Sequence, residues 1–504
     1  MKNRCWYSIV IVLVLSSCTN LPEEEVAAET HYRNYCGSCH QLPDPANIPK
    51  AVWEKHVLPE MAARLGYKYN GYDHLANNSM EENLYIRLSK TYPEKPIIDS
   101  ATWQQIHDFV LSNAPDSIPY ETTREKRNAD LTQFKAIPVS FTANNRVSVT
   151  NLQFEPTTHQ FIVGDVYGAI HQWPNPAPEI PKFHSPNISF LEEKDGNYVT
   201  EIGYMNPSEK PLGAVYRIQN EVIDTLARKL HRPVFTEITD LNDDDQNEIL
   251  ICEFGNLQGE LSMLVQNDAQ MEKRTLLPVP GTIKVEIADM DNDGKKDIVV
   301  LAAQGNEGVY ILFQKDDLQF DLKQVLKLPP VYGSSWFELI DYNNDQYLDI
   351  VLANGDNADH SIFLKPYHGV RLFLNNSDNS FTEKWFYPIY GATRVLSADY
   401  DLDGDLDFVV MSFFPDFDNT LTEGFVFLEN KDPAQYLFKS YTFQEATSGR
   451  WMVMDQGDFD QDGDIDIALG SFLLPIDRKK YKNLIDHWRN ETVDVMILEN
   501  NAIH

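Results

Sequence analysis

Asp399-Tyr400-Asp401-Leu402-Asp403-Gly404-Asp405-Leu406-Asp407-Phe408-Val409-Val410 decides the fold. Carboxylates at positions 1, 3, 5 and 9 wrap a hard cation the size of calcium, and glycine at position 6 permits the sharp turn between them. An EF-hand loop needs a bidentate glutamate at position 12. Here that position is Val410, so the loop runs into a buried strand instead. The pattern recurs at Asp240, Asn242, Asp244 and Glu248, and at Asp289, Asp291, Asp293 and Asp297. It recurs again at Asp341, Asn343, Asp345 and Asp349, and at Asp458, Asp460, Asp462 and Asp466. Gly294 and Gly463 match Gly404, whereas Asp245 and Gln346 hold position 6 of the first and third loops.

Each loop exits into an apolar run such as Ile298-Val299-Val300 or Ile467-Ala468-Leu469, and a third apolar strand follows, as at 308–313 and 369–374. The first aspartates are 49 residues apart at the start of the series (240 to 289) and 59 at its end (399 to 458). One four-stranded blade per period of that size predicts a β-propeller. The loops resemble the FG-GAP/VCBS calcium repeat of integrin-α-type propellers, and the resemblance implies up to five calcium ions. Segments 147–173 and 198–223 read as two more blades without metal loops, which makes seven. The last blade ends three strands in, so 134–141 is expected to supply its fourth strand and close a propeller spanning 134–504, with 116–133 as a linker.

Cys36-Gly37-Ser38-Cys39-His40 names a second cofactor. Two thiols three residues apart can form thioethers to one haem, and the following histidine then lies under the iron as an axial ligand. Around it, 26–115 has a helix before the motif, a loop-rich middle and a closing amphipathic helix with Trp103, Ile106 and Val110 on one face. This resembles a class I cytochrome c, an all-α domain. The stretch 53–61 resembles the Trp-x-x-x-Val-Leu-Pro-x-Met segment of bacterial cytochromes joined to calcium propellers, which makes Met61 the expected sixth ligand. Met80 is the next candidate, and His56 or His74 would give a bis-histidine haem.

Lys2 and Arg4 precede the apolar run 6–15, which is too short to span a bilayer and reads as a signal-peptide core. Leu15-Ser16-Ser17-Cys18 resembles a bacterial lipobox, implying cleavage after residue 17, lipidation of Cys18 and a tether over 18–25. Glu23-Glu24-Glu25 resembles the surface-export signal of some lipoproteins. An extracytoplasmic chain anchored by lipid, on the outer membrane, is the expectation. Cys252 lies in an apolar strand and is expected to be a buried free thiol, leaving no structural disulfide. The net charge of −34 stays strongly negative even with five calcium ions bound, which argues against nucleic acid as a partner.

The long insertions fall in loops opposite the calcium face. Asp356, Asp359, His360, Lys365, Tyr367, His368 and Phe414, with Arg394 and Arg450 at the adjoining strand starts, form a candidate ligand face. The leading functional reading is an anchored electron-transfer protein whose redox partner is another protein or a small donor or acceptor. Alternatives are a dehydrogenase whose propeller feeds electrons to the haem, and a surface adhesin or glycan-binding lipoprotein. No nucleophile–base pair can be read from residue order, so catalytic residues are unassigned.

Overall fold

The structure is a computed structural model and describes residues 23–502, apart from 70, 121–126, 128–129, 142–147, 176–179, 268–269, 358–362 and 474–475. The expected signal peptide, Cys18, and the loop residues Asp359 and His360 lie outside the described residues. Among those described, no helix is long and apolar enough to cross a membrane.

Seven antiparallel sheets follow one another around a ring, forming a seven-bladed β-propeller. Blade 1 (149–173) has three strands, while blades 2 (187–230), 3 (233–277), 4 (282–327), 5 (334–388) and 6 (392–441) each have four. Blade 7 takes three strands from 451–500 and a fourth from Phe134–Val139, which pairs with Val495–Asn500 from Phe134↔Asn500 to Val139↔Val495. That clasp is the closure expected from the sequence. Blade 2 differs from expectation: its first strand is Asn187–Glu193, not a segment beginning at Tyr198.

The strand after each carboxylate loop is buried throughout, as in Asp297–Ala302 and Asp407–Ser412, because it has a neighbouring blade on both faces. Such strands read as continuous β-branched and apolar runs, not as alternation. The outermost strands are exposed; Val222 and Leu322 are half or more in solvent.

Among the described residues, the segment before the propeller holds four main helices: α1 (Glu23–Cys36), α2 (Leu58–Arg64), α3 (Met80–Ser89) and α4 (Ser100–Asn113). Ser79 caps α3 by accepting from Glu82 N at 3.1 Å, and Asp99 caps α4 by accepting from Thr102 N at 2.8 Å. Tyr32 of α1, Trp53, Leu58, Ala62 and the Trp103, Ile106 and Val110 face of α4 form one core, on which Cys36 packs. A fifth helix, α5 (Lys482–Glu491), lies in the blade 7 insertion and buries Trp488. Cys252 is fully buried and free, and Cys36 and Cys39 are free as well.

Candidate metal loops and the helical segment

Each carboxylate loop joins the first strand of its blade to the second, so all five lie on one face of the ring. The first aspartate holds the turn: Asp289 Oδ1 accepts from Asp293 N at 3.1 Å and Oδ2 from Gly294 N at 2.9 Å. Asp240, Asp341 and Asp458 repeat this arrangement. Position 9 is the first residue of the second strand and ties the loop to the sheet. Asp297 accepts from Met290 N at 2.9 Å and from Gln314 N, on the third strand, at 2.8 Å. Position 6 has φ between +66° and +98° in all five loops, so Asp245 and Gln346 take the left-handed turn that the glycines take.

Three loops bring carboxylate oxygens within 4.8 Å of one another: Asp289, Asp291 and Asp297; Asp399, Asp401 and Asp407; Asp458, Asp460 and Asp466. In the other two, Asn242 and Asn343 replace the second acid and donate to Asp244 and Asp345 at 3.2 and 2.9 Å. Burial pushes the position 9 carboxyls up, with neighbouring acids adding to it: Asp407 to about 8, Asp466 to about 7 and Asp349 to about 6. In the fourth loop, Asp399 Oδ1 and Asp405 Oδ1 are shut off from solvent and accept no hydrogen bond. Crowded, partly desolvated oxygens of this kind fit a hard divalent cation, which reverses their mutual repulsion.

Residues 289–352 carry an FG-GAP-like repeat. The match covers the second carboxylate loop and reaches into the strand after the third. A search of curated proteins finds no match. Among solved structures, the chain is similar to the Neurospora crassa Pan2 WD40 domain, at 12% identity, with 74% of this chain and 97% of that one covered and a TM-score of 0.44. It is also similar to an ancestral GH74 enzyme, at 10% identity, with 73% of this chain and 51% of that one covered and a TM-score of 0.46.

The acids around the propeller axis were not singled out in the sequence. Glu286 and Glu338 stand three residues ahead of the first aspartate of their loops, as do Glu237 and Asp455. Three of these cap the inner edge of the next blade. Glu286 accepts from Leu339 N at 2.9 Å, Glu338 from Ser397 N at 2.8 Å and Asp455 from Phe154 N at 2.6 Å. Lys284 and Arg394 cap the matching carbonyls by donating to Phe337 O and Met454 O. Their charged ends lie 4.2 and 3.7 Å from the Trp336 ring centre. Unpaired edge groups need such partners, and the recurring acid at a fixed offset was the available signal.

In the helical segment, Cys36 ends α1 half-buried on the core and Cys39 is exposed. His40 Nδ1–H donates to Gln41 O at 2.9 Å, which leaves the Nε2 lone pair free to bind a metal. Met61 is half-buried on α2, whose Leu58 and Ala62 share the core with Cys36. Met80 is 93% exposed at the start of α3, His56 is exposed, and His74 stacks on Tyr92 with ring centres 3.9 Å apart.

The candidate ligand face is not an open surface at most of its described positions. Lys365, His368 and Arg450 are buried, with Arg450 lying 3.7 Å from the centre of the Phe413 ring. Arg394 is engaged with Met454 O and Trp336, and Phe414 packs on Phe413. Asp356 is half-buried, its backbone N–H donating to Gly333 O. Tyr367 donates its hydroxyl to Asn47 O at 3.1 Å. The helical segment therefore lies on this face. Ser208 Oγ donates to Glu82 at 2.8 Å, Lys210 pairs with Glu81 at 2.7 Å, and Val331 packs on the helical core.

Proposed function

We propose that the chain is an exported, lipid-anchored c-type cytochrome that passes electrons through one covalent haem, with a calcium-stabilised propeller as its scaffold. The observation that carries this reading is the order of groups at the end of α1. Free Cys36 and Cys39 are followed at once by His40, whose ring donates from Nδ1 and keeps Nε2 available. Bound haem would supply one-electron chemistry at its iron. Cys36 and Cys39 would hold it through thioethers, His40 Nε2 would face the iron, and Met61 is the sixth ligand we favour over the solvent-exposed Met80. The five carboxylate loops would hold calcium and fix the hairpins of blades 3 to 7. Cys18 would carry the lipid.

The test is maturation with a cytochrome c assembly system. The product should keep haem through denaturing electrophoresis, shift its Soret band on reduction and lose one thioether in Cys36→Ala. A chain that matures without covalent haem would sink the reading, whatever its calcium content.

A further inference from the structure

We propose that the propeller, through Tyr367, fixes the loop that follows His40, so that blade 5 is an intramolecular docking surface and Tyr367 a positioning residue. This inference rests on the reading of Cys36, Cys39 and His40 as a haem-binding set.

The loop is held by its backbone carbonyls at alternate residues, and each accepts from an aromatic donor. Tyr32 OH donates to Pro43 O at 2.5 Å, Trp53 Nε1–H to Pro45 O at 3.0 Å and Tyr367 OH to Asn47 O at 3.1 Å. The first two donors belong to the helical core, whereas the third comes from a loop of blade 5, 320 residues further along the chain. Tyr367 is itself held firmly. Arg371 Nη2 donates to Tyr367 O at 2.9 Å, Nε to Asn354 Oδ1 at 3.1 Å and Nη1 to Glu383 at 2.8 Å. Tyr332 stacks on Tyr367 with ring centres 5.6 Å apart, and the Arg371 guanidinium lies 4.4 Å from the Tyr332 centre.

The pinned stretch begins two residues after Gln41, whose carbonyl orients the His40 ring through Nδ1–H. A hydrogen bond to the far nitrogen of an axial histidine sets its ring orientation and basicity, and both act on the potential of the metal. Holding 43–47 therefore holds that carbonyl. The second contact, between α3 and blade 2, involves Glu81, Glu82, Ser208 and Lys210 and touches nothing in 41–47. It serves as an internal control.

The experiment uses the full chain. Tyr367→Phe keeps the ring stack and removes only the hydroxyl donor. Losing one hydrogen bond of ordinary net strength should speed exchange of the Asn47 and Ile48 amides by about 3- to 10-fold, read by hydrogen–deuterium exchange with or without haem. Lys210→Ala should leave those amides unchanged. In haem-loaded protein, Tyr367→Phe should also displace the midpoint potential in a redox titration, while Lys210→Ala leaves it in place. Unchanged exchange at Asn47 and Ile48 in Tyr367→Phe overturns the docking role. Faster exchange with an unmoved midpoint overturns the positioning role. If the chain takes no covalent haem, the functional reading fails by itself, and the exchange result still judges the docking surface.

Discussion

Blades 1 and 2 and blades 3 to 7 share one architecture but hold their first hairpins differently. In blade 1 the turn after Gln160's neighbouring strand is short and closed locally, with Glu155 accepting from Thr157 N at 2.9 Å. In blade 2, Asp195 accepts from Tyr198 OH at 2.7 Å and pairs with Arg217 at 3.2 Å, close to solvent. In blades 3 to 7 the same connection is a nine-residue carboxylate loop whose last acid is buried. The blade does not need such a loop in order to form. Burying several carboxylates together is costly unless a cation offsets it. The difference between the two sets of blades therefore predicts where cation dependence lies.

The largest expected effect follows from removing calcium. At a hundredfold excess over its dissociation constant, each bound ion contributes about 2.7 kcal/mol, so chelation should lower the unfolding temperature markedly. Hydrogen exchange should quicken in the first hairpins of blades 3 to 7 and stay unchanged in blades 1 and 2. A melting curve indifferent to chelator, with no calcium by elemental analysis, would show that the loops are hydrogen-bonded turns.

Single substitutions sharpen the same contrast. Asp407→Ala strips an acceptor from Asn430 N (2.7 Å) and from Tyr400 N (3.2 Å), both in the buried interior. The cost should be about 3 kcal/mol in chemical denaturation, from two stranded backbone donors. Asp195→Ala, at the matching hairpin of blade 2, removes a half-exposed pair and should cost under about 1 kcal/mol. Equal losses at the two positions would erase the distinction between the blade types.

Much of this was legible in residue order because it is local or periodic. The five loops and the apolar strand after each are written in consecutive residues, and the clasp of Phe134–Val139 follows from counting strands in the last blade. Asn187–Glu193 was missed because Asn187, Ser189, Glu192 and Glu193 hide the apolar pattern of an inner strand. The axial caps depend on which blade comes next: Glu286 meets Leu339, 53 residues away, and no spacing rule places them together. Lys365, His368 and Arg450 looked like surface groups because cations and imidazoles usually are. Their burial depends on aromatic partners such as Phe363 and Phe413. The contact that puts the helical segment on this face, Tyr367 with Asn47, joins residues with no sequence relation.

The axial charges add a pH-dependent effect to this comparison. Burial pushes the Glu338 carboxyl up to about 7, against the opposing pull of Lys284 and of its hydrogen bonds from Ser397. The folded state then holds this proton more tightly than the unfolded chain does. Stability is therefore fullest below the ordinary glutamate range, near pH 4.5, and declines as pH rises through about 7. Glu338→Gln, which keeps an acceptor for Ser397, should flatten that decline in calcium-saturated protein. Glu237, also pushed up to about 7, would leave some of it in place. A variant with the wild-type slope between pH 5 and 7 would show that Glu338 does not titrate there.

The smallest expected effect separates the loops from one another. Position 4 is left-handed in every loop, and it is Asp243, Asn292, Asn344 or Gln461 in four of them but Leu402 in the fourth, with φ +60°. That conformation costs an ordinary L residue roughly 1–2 kcal/mol, and asparagine carries less of the penalty because its short side chain bonds locally. Leu402 is 48% exposed, so its replacement gives up little packing. Leu402→Asn should therefore stabilise the calcium-saturated protein by about 0.5–1 kcal/mol in denaturant unfolding, with an unchanged m-value. The substitution moves the fourth loop toward Asn292 and Asn344 without touching a carboxylate, so it tests backbone strain apart from metal binding. A loss of stability would mean that the leucine packs on something worth more than the strain it carries, and that the fourth loop is built differently from the second.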